Sequence, residues 1–191
     1  FFIERPIFAT VLSLLLLAAF GHKSHAQKVS VSTDLVEWGY LWTVNLEANV
    51  SVHQHWSLLA GGKINPWKFD KKSGEEFYDV QNTAYIGTRY WPWHVFAGWW
   101  VGAKAQYSSF QRTGIINQSL KKGQSIGAGL SAGYTFMLNE RLNLDLGLGF
   151  WGGYRLKYNK FDSPATMVPM DMGSKGFIAP DELTVALMYI F

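Results

Sequence analysis

The chain contains no cysteine, which excludes a disulfide framework, a thiolate zinc site and a thiol nucleophile. Charge is scarce too: Asp, Glu, Lys and Arg make up 16% of residues, against the ~25% of ordinary soluble domains. The formal net charge of +3 is too small a surplus to suggest a nucleic-acid partner. Long apolar runs are missing with one exception, Ile7 to Phe20 (IFATVLSLLLLAAF). That run is too short to span a bilayer comfortably and has the length of a signal-peptide core. Arg5 precedes it, and Ser24 and Ala26 place small residues where a signal peptidase inspects the chain. Residues 1–26 are therefore expected to be a cleaved signal peptide and residues 27–191 a single domain.

What the chain does have is alternation and aromatic residues, the latter at 16%. Thr43 to Val52 (TVNLEANVSV) sets Val44, Leu46, Ala48, Val50 and Val52 on one face and Asn45, Glu47, Asn49 and Ser51 on the other, a period of two that a helix would smear. Seven further segments behave as strands: Lys28–Val36, Ser57–Asn65, Tyr78–Tyr90, Val95–Tyr107, Ser125–Met137, Leu142–Tyr158 and Asp181–Phe191. Tight turns at His53–Trp56, Trp91–His94 and Leu138–Arg141 fall on the side of both termini. Longer connections at Trp67–Phe77, Ser108–Gln124 and Asn159–Pro180 fall opposite, and only Glu37–Trp42 is short where a long one is due. The expectation is an all-β fold, an eight-stranded antiparallel up-and-down transmembrane barrel with short periplasmic turns and long outer loops. A mean hydropathy of −0.01 suits it, because outward apolar and inward polar residues cancel.

A soluble lipocalin-like barrel is the competitor, and it needs its bulky face inward. Here Leu142, Leu144, Leu146, Leu148 and Phe150 share one face, while Gly127, Gly129, Gly147 and Gly149 fall on the face of the polar residues. Glycines inward make room for Trp100, Trp151 and charged stems. Aromatics gather at both strand ends, as interfacial girdles do. The turn side has Trp56, Tyr90, Trp91, Trp93, Tyr134, Phe136, Tyr189 and Phe191; the loop side has Trp38, Tyr40, Trp42, Trp67, Tyr107 and Tyr158. The closing LTVALMYIF resembles the C-terminal signal of bacterial outer-membrane barrels. That likeness makes Tyr189 and Phe191 the expected assembly signal, read by barrel-assembly machinery.

The inward charges are Glu47, Lys63, Arg89, Lys104, Asp145 and Arg155. Unpaired charges in a narrow lumen are costly, so Glu47 is expected to pair with Arg89 and Asp145 with Lys104, as structural pairs and not catalytic ones. The histidines of the domain, His53, His55 and His94, all lie in tight turns. A Ser-His-acid site at the loop side cannot be assembled from them, and a turn-side metal site is the weaker reading against exposed turn histidines. No catalytic residue, metal or cofactor is expected.

Several stretches, VSTDL, WSLLAGGKINPW, RYW, SIGAGLSAGY, LNLDLGLGFWGGY and LTVALMYIF, together resemble a family of small outer-membrane proteins of Bacteroidetes known as a domain of unknown function (DUF3575), often encoded near fimbrial genes. The resemblance runs from about Lys28 to Phe191. It implies a cell-envelope role linked to fimbriae or adhesion and brings no catalytic residues. Relatives with cysteines in the last long loop have no counterpart here. The expected function is an outer-membrane barrel with a structural or surface-interaction role. Its expected partners are membrane lipid and a fimbrial or surface protein. An outer-leaflet lipid-modifying enzyme and a narrow pore are the alternatives.

Overall fold

Side chains that alternate in polarity can satisfy two environments only as a strand, and the long strands of this chain do so around a closed ring. The computed structural model describes residues 28–39, 42–70, 76–113, 120–161, 169–173 and 175–191, so the expected signal peptide lies outside the described residues. The strands are β1 (Val29–Asp34), β2 (Val44–His53), β3 (Trp56–Asp70), β4 (Glu76–Tyr90), β5 (Gly98–Thr113), β6 (Leu120–Met137), β7 (Leu142–Phe161), β8 (Pro169–Gly173) and β9 (Gly176–Ile190). Each neighbouring pair is antiparallel. The ring runs from β1 through β7 and closes through β9, which pairs with both β7 and β1. Eight strands therefore make the barrel. The short β8 lies outside the ring, against the far end of β7.

Burial is inside out relative to a soluble domain. Along β2, Asn45, Glu47 and Asn49 are buried while Val44, Leu46 and Ala48 are exposed. On β7, Asn143, Asp145, Gly147 and Gly149 face inward, with Leu148 and Phe150 outward. On β9, Thr184, Ala186 and Met188 are buried, and Leu183 and Tyr189 are exposed. Polar side chains outnumber hydrophobic ones about three to one among the buried described residues.

The strands run further than alternation suggests. The β3–β4 pairing continues to Asp70 and Glu76, and β5–β6 to Thr113 and Leu120. Most of each expected long loop is thus hairpin. Backbone ladders need no polar/apolar alternation, so they run on past the segments that alternation reveals.

Two connections differ from expectation. Residues Leu35 and Val36, expected in the first strand, belong to a short helix α1 (Leu35–Gly39). Asp34 caps it: its Oδ1 accepts the Val36 N–H at 2.8 Å, and Glu37 follows three residues later in the spacing of a capping box. The second difference is the expected turn Trp91–His94 and the strand start at Val95. Here β5 begins only at Gly98, and residues 91–97 fold back into the barrel end. Phe96 takes a left-handed backbone with φ 69° and Gly98 follows with φ 77°. A left-handed non-glycine residue costs about 1–2 kcal/mol. Burial of the Phe96 ring, at ~1.5–3 kcal/mol, offsets that strain.

Candidate functional site: the filled lumen

The lumen is built in layers. At the tight-turn end Trp91, Phe96, Trp100 and Met188 form an apolar cluster, each 1% exposed or less. Trp91 meets Phe96 edge-on at 5.8 Å and donates from its indole N–H to Ser57 Oγ at 3.0 Å. The Asn143 amide donates to the Phe96 carbonyl at 2.6 Å, tying the folded-back segment to β7. Trp91, expected in the outer girdle, is instead part of this plug: fully buried, its ring contributes more inside than at an interface. The same end carries an exposed outer girdle of Trp56, Trp93, Trp99, Phe136, Tyr189 and Phe191. At the loop end Trp38, Trp42 and Tyr107 are exposed, while Tyr40, Trp67 and Tyr158 lie outside the described side chains.

Above the plug sits a buried charge cluster. Arg89 on β4 reaches Glu47 Oε1 on β2 through Nη2 and Asp145 Oδ2 on β7 through Nη1, both at 2.9 Å. One arginine therefore joins both carboxylates of the two expected pairs. Lys104 lines the same lumen with its Nζ 4.9 Å from the Tyr85 ring centroid. The other Asp145 oxygen accepts the Trp100 indole N–H at 2.7 Å and the Thr135 hydroxyl at 2.8 Å. Glu47 accepts the Asn49 amide at 2.8 Å. The Arg89 guanidinium stacks 4.2 Å from the Trp100 ring, adding a cation–π contact where water is scarce. Charges this buried hold only when the partners are close and the remaining hydrogen-bond positions are used.

Glycines set the space. A Cβ at Gly133 would lie 2.5 Å from the Trp100 ring, and one at Gly147 would lie 2.8 Å from it. One at Gly102 would meet the Arg89 stem at 3.3 Å. The glycine face of β6 and β7 is thus the hollow for Trp100. Trp151 sits nearer the loop end, edge-on to Phe177 at 4.6 Å, with Arg155 5.2 Å over Phe177.

Between these layers lies a cavity of about 40 Å³, room for about three water molecules. It is lined by Asp34, Glu37, Lys63, Arg89, Lys104 and Gln106 among others. Over it α1 is latched by Lys63 Nζ to Glu37 Oε1 at 2.8 Å. His53 and His55 lie 6.3 Å apart at the turn end, and His55 Nδ1 is engaged with the Trp91 carbonyl at 2.9 Å. Among the described residues no cluster of three or more His, Asp or Glu side chains is arranged to hold a metal ion.

Sequence reasoning missed the Trp91–Phe96 plug and α1. The second had a signal, the Asp34-x-x-Glu37 spacing. The first had none, since WPWHVF reads equally as a turn with girdle aromatics.

The fold and lumen define a class: a closed eight-stranded antiparallel barrel with an apolar outer face and a charge-filled interior. The chain belongs to the family described as protein of unknown function DUF3575, whose model matches residues 11–191. No curated protein and no solved structure matches it.

Proposed function

We propose that the chain is an integral outer-membrane barrel of a Gram-negative bacterium, with a structural or surface-interaction role and no catalysis of its own. The observation that carries the reading is the inverted burial: Arg89, Glu47 and Asp145 inside, and Ile86, Leu130, Leu148 and Phe150 each more than 60% exposed outside. In water that outer face would aggregate; in hydrocarbon it is the favoured surface, and closure leaves no unpaired strand edge. A spanning strand needs about 9–11 residues, so the 18 of β6 and 20 of β7 leave long hairpins beyond the membrane. Those hairpins are the surface offered to a fimbrial or other envelope partner, the process the family resemblance implies. Residues 1–26 are read as the export signal, and Tyr189 with Phe191 as the signal for barrel assembly. A narrow pore would have to pass both the aromatic plug and the latched α1.

The test is fractionation with signal-bearing chain in a Gram-negative host. The expected result is protein in the outer membrane, resistant to urea extraction and migrating faster on denaturing gels when unheated. Protein recovered soluble without detergent overturns the reading. Tyr189→Ser with Phe191→Ser should sharply lower the membrane-inserted amount, and unchanged levels would remove the assembly role of those two residues.

A further inference from the structure

The outer face is bulky on the turn-side half of β7 and on the neighbouring part of β9, with Leu144, Leu146, Leu148 and Phe150 on the first and Leu183 and Leu187 on the second. Across β4 to β7 it is not. Register puts Ile86, Ala105, Ala128 and Gly152 in one cross-strand row, and Thr88, Ala103 and Leu130 in the row beneath. These small side chains leave an open apolar hollow of about 900 Å³, walled by Leu58, Ile86 and Leu130. That is within the volume range of a ligand pocket.

Towards the loop end the same face changes character. After a row with Tyr107 and Ile126, the next holds Asn82, Ser109 and Gln124, and the one beyond holds Gln111, Lys122 and Asn159. A cleft of about 210 Å³ lies among these residues. Rows two residues apart are spaced by about 6.7 Å. The first polar row is thus about 13 Å from the hollow along the strand, or about 9 Å along the membrane normal for a strand tilted by ~45°, so both fall within the ~15 Å of one leaflet's hydrocarbon and its head-group edge.

We propose that β4–β7 hold one phosphorylated, acylated glycolipid of the leaflet at the loop end, an acyl chain in the hollow and the sugar-phosphate head in the cleft. The head chemistry follows from the residues. Asn82, Gln111, Gln124 and Asn159 offer paired amide donors and acceptors suited to sugar hydroxyls, and exposed Lys122 supplies a point charge for a phosphate. A simple anionic phospholipid would make no use of four amides. The inference rests on the membrane reading above.

Full-length barrel is reconstituted in vesicles of phosphatidylethanolamine and phosphatidylglycerol, with or without acylated diglucosamine bisphosphate (lipid A). Flotation is checked, the barrel is extracted in mild detergent, and retained lipids are counted by native mass spectrometry. One lipid A per barrel is expected, with phosphatidylglycerol at background. Filling the hollow with Ala105→Leu and Ala128→Leu should lower retention about tenfold. Ala48→Leu, equally outward on β2, should leave retention unchanged. Lys122→Gln should abolish the preference for phosphorylated over dephosphorylated lipid A. Equal retention of phosphatidylglycerol, no effect of the filled hollow in a barrel still heat-modifiable on gels, or a lipid-free dimer would each overturn the proposal. A chain that does not float overturns the membrane reading itself; one that floats and retains no lipid overturns only this site.

Discussion

The lumen is filled in two ways on either side of Trp100. On the turn side Trp91, Phe96 and Met188 pack as a small hydrophobic core, mostly from one contiguous segment. On the loop side Glu47, Arg89 and Asp145 come from β2, β4 and β7, and meet only once the barrel has closed. The first region excludes water without directional demands. The second depends on one guanidinium reaching two carboxylates at once, with strict demands on distance and direction. An apolar plug stabilises without specifying register. The charge cluster tolerates little slip, because a one-residue shift in β2, β4 or β7 would turn a charge to the outer face.

The sharpest break in that comparison is Arg89→Met. It removes the guanidinium that joins Glu47 to Asp145, and removing one partner of a buried ion pair costs about 3–5 kcal/mol. A large fall in urea midpoint for the barrel in micelles is expected. Adding Glu47→Gln should recover part of the loss, since it removes one of the two carboxylates that lose the guanidinium. An Arg89→Met barrel as stable as the parent would show that the cluster does not hold the lumen.

Trp91→Ala should cost a comparable ~3–5 kcal/mol through cavity formation, but with no recovery from any neutralising change. The parent in a planar bilayer is expected to show no steady conductance, and Trp91→Ala combined with Phe96→Ala should still admit few ions, because the Arg89 cluster and the latched α1 close the lumen beyond the plug. Steady large steps in the parent would mean that the plug does not close the lumen. A smaller effect separates ring from backbone at position 96. Phe96→Gly should be about 1 kcal/mol less destabilising than Phe96→Ala, because glycine accepts φ 69° without the strain alanine would keep. Equal losses would show that this φ carries no strain.

The same contrast explains how much could be read beforehand. Charges on alternating strands announce their face, so the inward placement of Glu47, Arg89, Lys104 and Asp145 was legible, as was the hollow that glycines leave for Trp100. Which acid each cation takes was less so: pairing across a lumen depends on shear, which periodicity does not encode. Tyr90 and Trp91 are adjacent aromatics at a strand end, yet Trp91 turns fully inward and Tyr90 meets Trp56 at 5.0 Å. Amphipathic rings suit both an interface and a core, so composition alone cannot separate them. The hairpin ends were illegible for another reason. Backbone pairing alone carries β3 to Asp70 and β6 back to Leu120, and pairing leaves no mark in a single strand's sequence.

The smallest expected effect lies at the loop end of the lumen, where Lys63 latches Glu37. Their side chains are 16% and 25% exposed, so this pair is better solvated than the Arg89 cluster below it. A partly solvated pair is worth about 0–1 kcal/mol and weakens with salt. Glu37→Gln should therefore barely move the urea midpoint, and the difference from the parent should shrink further in high salt. The cap is the stronger tie on α1: Asp34→Ala removes the acceptor of the Val36 N–H and should cost about 0.5–2 kcal/mol. Amide hydrogen exchange over Leu35–Gly39 reads the two separately. Asp34→Ala should speed exchange across the helix, whereas Glu37→Gln should change it little, because the cap still holds the first turn. If Glu37→Gln alone freed the helix, the latch and not the cap would be what closes the loop end. The polar end of the lumen would then depend as strictly on one ion pair as the middle does on Arg89.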